Sequence, residues 1–215
     1  VLIFLTFILS IFGTFLTRSG IISSVHSFTA SGIGPLFLGF VGVCVVASFG
    51  LLYLKKGLLK SESRIESVVS RESAFLINNV VFVGACFAVF WGTVFPVISE
   101  AVRGIKITVG PPWFNSVNIP IFLFLLFLTG VGPLVAWRKS SPHYLKKLFM
   151  KPVIAMVATA IALIAFGMTS VYAIISFSLC VFVTATIMAE FHRGARARMK
   201  SNDEGYLRGL FELTK

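Results

Sequence analysis

The sequence predicts an all-α fold, a polytopic integral membrane protein of about six transmembrane helices with short loops, and three observations carry that expectation. Hydrophobic residues make up 57% of the 215 positions against 13% charged, and the mean hydropathy is +0.94. A water-exposed surface of ordinary composition cannot be built from that inventory. The apolar residues fall in uncharged runs close to the ~20 residues a helix needs to cross a hydrocarbon core about 30 Å thick. The net charge of +11 sits almost wholly between those runs, which reports orientation in a membrane and not a nucleic-acid surface.

The first run, 1–17, is slightly short for a crossing. It starts inside an apolar stretch with no basic segment or cleavage site ahead of it, so an internal piece of a longer protein is expected. The second run, 34–54, stops at Lys55-Lys56; the third covers 73–99; the fourth, 117–137, stops at Arg138-Lys139. From 152 to 189 there is no charge, and one helix of that length would extend about 57 Å, nearly twice the hydrocarbon thickness. It must fold back, and Gly167-Met168-Thr169-Ser170 is the natural break, leaving spans at 152–167 and 171–190. The expected organisation is a transmembrane helical domain over 1–192 and a basic cytoplasmic tail over 193–215. No internal repeat is visible.

Only Arg18, Arg103 and Lys106 follow spans one, three and five; the other sixteen of the 19 basic residues follow spans two, four and six. By the positive-inside rule the even connections are cytoplasmic. The connection holding His26 and the one from 100 to 116 then lie on the opposite side.

Among residues that carry chemistry, His26 stands out. It lies in a polar, glycine-bearing break, Thr17-Arg18-Ser19-Gly20 through Ser24-Val25-His26-Ser27-Phe28, where an imidazole serves either as a haem or metal ligand or as a polar interface cap. His143 and His192 sit beside basic residues and read first as interface residues. Cys44, Cys86 and Cys180 lie inside apolar runs without metal-ligand spacing. Asn78-Asn79 inside span three must find partners on neighbouring helices. Gly110-Pro111-Pro112-Trp113-Phe114-Asn115 reads as a rigid turn, its aromatics either an interfacial belt or an apolar lip for a flat ligand. The Arg193-Gly194-Ala195-Arg196-Ala197-Arg198 run reads as an anchor to anionic membrane lipid, not as a nucleic-acid site. No span carries a charge at depth, which weighs against an ion-coupled transporter, and no Ser/His/Asp set, Walker loop or HExxH occurs.

Four patterns, in order, resemble the CcmF/NrfE family of haem lyase subunits of cytochrome c maturation System I. They are Gly13-Thr14-Phe15-Leu16-Thr17-Arg18-Ser19-Gly20 leading to Ser24-Val25-His26-Ser27-Phe28; Ser70-Arg71-Glu72-Ser73 leading to Asn78-Asn79; Gly110-Pro111-Pro112-Trp113-Phe114-Asn115; and Gly130-Val131-Gly132-Pro133-Leu134. The resemblance implies a bacterial or mitochondrial inner-membrane protein that receives haem from the chaperone CcmE and joins it to the CxxCH thiols of apocytochrome c, beside other System I subunits. It implies that His26 is an axial ligand to haem iron, with Arg18 a partner for a propionate and Gly20, Gly32 and Gly34 shaping the backbone around it. The family's WWD segment, the partner histidine before it and the haem b histidines are absent from this chain. A membrane transporter and a non-catalytic assembly subunit are the alternative readings.

Overall fold

The computed structural model describes residues 1–21, 32–59, 70–135, 142–202 and 205–212. Six long helices occur among them: α1 (Leu2–Arg18), α2 (Gly34–Leu54), α3 (Arg71–Arg103), α4 (Pro111–Val131), α5 (Pro142–Ala165) and α6 (Val171–Asn202), followed by the short α7 (Tyr206–Glu212). No strand is present among the described residues. Helices α2 to α6 are long and apolar enough to cross a membrane, and α1 is a shorter apolar helix. Its 17 residues extend about 26 Å, at the low end of the crossing range. The protein is an all-α, polytopic integral membrane protein, as the composition predicts.

Large apolar side chains cover the outside of these helices. Leu36, Val43 and Val46 on α2, and Ile154, Ile161 and Ile164 on α5, are all exposed. In water such faces would be a large unfavourable surface; they require an apolar surrounding.

The predicted boundaries shift in instructive places. Span two coincides with α2. Span four begins six residues early, because Pro111 and Pro112 start a helix instead of making a turn: Gly110 takes an extended conformation and Trp113 N–H donates to Gly110 O at 3.1 Å. Proline in the first helical turn sacrifices only an amide that has no intrahelical partner, and its ring fixes φ for the helix. Helix α3 runs beyond the predicted 73–99 at both ends, and α5 begins ten residues before the uncharged run. Helix α6 continues through the arginine run, whose polar side chains do not oppose helix formation. The α5–α6 break falls where predicted. Gly167 takes φ +86°, its N–H donates to Ile164 O at 2.9 Å, and Met168 N–H donates to Leu163 O at 3.0 Å, the paired bonds of a Schellman termination.

The chain divides into two compact units, one of Val1–Arg64 with Val97–Ile107 and one of Ile65–Pro96 with Thr108–Lys215. In the first, α1 packs on α2, burying Phe15, Leu16 and Val41. In the second, α6 packs on α4, α5 and α7. Its centre is Phe182, 1% exposed, stacked between Phe127 at 5.7 Å and Phe149 at 6.2 Å. The backbone of α4 comes close there because Gly130 has no side chain: a Cβ on it would stand 2.6 Å from the Phe182 ring. Small residues that admit a large neighbour are how helices associate in lipid, where burial from water supplies no drive.

Candidate functional site

The His26 break connects α1 to α2, and His26 itself lies outside the described residues, as do all of 22–31. The structure describes the two ends from which that connection departs. Helix α1 stops where Ser19 N–H donates to Phe15 O at 2.8 Å and Gly20 turns with φ +70°, a conformation costly for any other residue type. At the far end Gly34 opens α2 against α1, and a Cβ on it would stand 3.3 Å from Ser19 Cβ. Of the three glycines assigned to shaping this connection, Gly20 and Gly34 have a geometric reason. Gly32 has neither a positive φ nor a neighbour within 4 Å.

Arg18 is the last residue of α1 and exposed. A cation there is favoured by the negative end of the helix dipole.

The second extracytoplasmic connection of the sequence reading shrinks to 104–110, because α3 runs on to Arg103 and α4 begins at Pro111. Within the first unit it is tied to the His26 connection. Lys106 Nζ donates to Ile21 O at 3.1 Å, one residue before the undescribed stretch, and lies 3.9 Å from a Glu100 carboxylate oxygen. The backbone is returned to α3 by Gly104, at φ +67°, and by Ile107 N–H, which donates to the buried Ser99 Oγ at 3.0 Å. A lysine held by a carboxylate and a carbonyl therefore joins segments 85 positions apart. Spacing along the sequence carries no sign of it.

The Trp113 and Phe114 rings do not form an open lip. They meet edge to face at 5.1 Å and seat in the second unit against Gly92 of α3, where a Cβ would stand 2.4 Å from Trp113. His143 is exposed near the start of α5. His192 Nδ1 and the Tyr206 hydroxyl lie 2.9 Å apart, so His192 fastens α7 to α6. Asn78 lines a recess at one end of the second unit, while Asn79 is exposed. The three cysteines are free, and among the described residues no cluster of His, Cys, Asp and Glu could hold a metal ion.

No family model matches the chain. Cytochrome c-type biogenesis protein CcmF of Pseudomonas aeruginosa is 36% identical over 157 residues, which is 73% of this chain and 24% of that protein. CcmF of Pseudomonas fluorescens is 30% identical over 210 residues, 97% of this chain and 31% of that protein. A solved structure titled cytochrome c heme lyase CcmF superposes with a TM-score of 0.61 at 27% identity, covering 90% of this chain and 27% of that one. The chain belongs to the CcmF/NrfE family. It spans 24% and 31% of the length of these two relatives. Membership in a family of cytochrome c biogenesis proteins gives the α1–α2 connection a chemical context that its described ends alone do not supply.

Proposed function

We propose that this chain forms part of a cytochrome c haem lyase, in which His26 ligates haem iron on the extracytoplasmic side of a bacterial inner membrane. Haem is the substrate, delivered by the chaperone CcmE and consumed when it is joined to apocytochrome c, with other System I subunits as neighbours. The observation that carries the reading is the position of Thr17-Arg18-Ser19-Gly20 and His26 on a connection whose described ends are drawn together at Ser19 and Gly34 and tied by Lys106 to a second connection. The residues fit the substrate in kind: a neutral imidazole for iron, an exposed Arg18 cation for a propionate, and exposed Ile33 and Ile105 as apolar surface for a flat macrocycle.

Adding a thiol S–H across a vinyl C=C forms one C–S and one C–H bond and expels no leaving group. The contribution asked of the protein is therefore orientation, which raises the effective concentration of thiol beside vinyl. His26 would fix the iron, Arg18 at the end of α1 would fix one edge of the ring, and Lys106 would steady the connection that carries His26. The domain reading stays with this proposal: 1–192 as the membrane part and 193–215 as a cytoplasmic segment.

The test is the absorption spectrum of the membrane-extracted protein, wild type and His26→Ala, after coexpression with CcmE. The expected result is loss of the Soret-region signal of the outer haem and of holocytochrome c, with membrane insertion unchanged. Normal holocytochrome levels in His26→Ala would sink the ligand assignment.

A further inference from the structure

Helix α7 is too short to stand alone. Its seven residues, Tyr206–Glu212, fall well below the length at which an isolated helix persists in water, so it depends on what it touches. One side is accounted for within the second unit. The Tyr206 hydroxyl lies 2.9 Å from His192 Nδ1. Gly209 is buried against α6, where a Cβ on it would stand 3.3 Å from Ala195 O and 3.6 Å from Arg198 Cβ.

Two further stripes of α7 turn away from those contacts. Leu207 and Phe211 are four positions apart, hence on one face, and they are 79% and 65% exposed. Arg208 and Glu212, also four apart, form the neighbouring stripe. A helix with one side for its protein neighbour, an apolar outer edge and a polar outer edge is divided as expected where protein, lipid and water meet.

The level at which α6 holds this helix agrees. Glu190 is the first charge after the uncharged run, and at 1.5 Å per residue His192 and Ala195 lie about 3 and 8 Å beyond it. The headgroup layer outside the hydrocarbon is about 5 to 8 Å deep on each side. Contacts to His192 and Ala195 therefore keep α7 at headgroup depth, a level that suits the amphipathic ring of Tyr206. Arg196 and Lys200 of α6 and Arg208 of α7 are exposed at the same end of the unit. None of these three side chains has a hydrogen-bond or ion-pair partner among the described residues, so their charge is available to lipid phosphates.

We propose that α7 is an interfacial helix that inserts Leu207 and Phe211 into the headgroup layer of an anionic bilayer, with Arg196, Lys200 and Arg208 drawn to its phosphates. The basic residues attract the surface, and the two apolar side chains set the depth. The inference depends on α6 crossing the membrane and stands apart from the haem reading and from His26.

The test places a nitrobenzoxadiazole label on Leu207→Cys, Arg208→Cys or Phe211→Cys in a background where the free Cys44, Cys86 and Cys180 are replaced by Ala. Labelled protein is reconstituted in vesicles of phosphatidylcholine, alone or with an equal part of phosphatidylglycerol, with and without bromine on the acyl chains. Labels at 207 and 211 should emit at shorter wavelength than the label at 208 and be quenched more strongly by the brominated chains. Phosphatidylglycerol should increase that quenching, because each basic residue near an anionic surface shifts the equilibrium roughly fivefold. A second measurement needs no cysteine replacement: amide exchange over 206–212 in the wild-type protein should be slower in the phosphatidylglycerol vesicles, and Leu207→Glu combined with Phe211→Glu should erase the difference. Equal emission and quenching at the three positions, or exchange that is the same in both vesicles, would overturn the proposal. Labels at 207 and 211 that stay water-exposed in every vesicle and become shielded only in native membranes would also overturn it, and would assign this face to a protein partner.

Discussion

The two compact units are held by different forces. In the second, ring meets backbone at glycine notches: Phe182 fills the space over Gly130, and Trp113 with Phe114 fills the space over Gly92. In the first, few large side chains are buried, and the connections next to the proposed ligand are secured by polar contacts, Lys106 to Ile21 and Glu100, and Ser99 to Ile107. Packing tolerates no added atom, whereas a polar fastener can be removed singly without displacing its neighbours. The proposed haem connection thus hangs from the adjustable unit, while the unit built on interlocked rings supplies the rigid one.

Four substitutions break or sharpen this contrast. Gly130→Leu should have the largest effect, because its side chain would enter the Phe182 ring; a loss on the order of 3 kcal/mol is expected, read as a fall of several degrees in the detergent melting temperature. Lys106→Met should cost about 1.5 kcal/mol for the charged donor it removes. Its more telling effect is on haem capture by coexpressed protein, which should drop while His26 remains and the melting temperature falls only about half as far as in Gly130→Leu. Full capture in Lys106→Met would show that the contact with Ile21 does not position the connection. Ser99→Ala leaves the Ile107 amide without its acceptor and should cost about 1 kcal/mol, measurable as faster amide exchange over 104–107. Glu100→Gln should be the mildest, at a few tenths of a kcal/mol, since the Glu100 side chain is 55% exposed and an ion pair in that setting contributes little. If Glu100→Gln equalled Lys106→Met in haem capture, the ion pair and not the carbonyl contact would be the fastener.

How much of this was legible beforehand differs from residue to residue. The span at 34–54 and the turn at Gly167 were legible because a charge pair and a glycine mark them locally. The helical start at Pro111 was misread because two prolines in a row serve a turn and a first helical turn equally well, and only the backbone of Gly110 decides between them. His26 is singled out by its motif and its place between apolar runs, and its role rests on the proposal because it lies outside the described residues. Lys106 was legible as a basic residue on the sparsely charged side, but nothing nearby in sequence pointed to Ile21. Arg71, Glu190 and Arg193 looked like ordinary helix-end charges, and their shared recess became visible only once α3, α4 and α6 were together.

By itself the sequence determined that this is a helical membrane protein, how many apolar segments it has, and which connections carry the basic residues. Those properties depend on composition and on run length measured against a bilayer of known thickness. The tertiary structure alone decided which glycine receives which ring, which backbone carbonyl Lys106 holds, and that two separated patterns line one recess. Such neighbours come from segments roughly 20 to 120 positions apart, as Gly92 with Trp113, Gly130 with Phe182, and Arg71 with Glu190 around one recess do, and no local periodicity encodes which side chain will fill which gap.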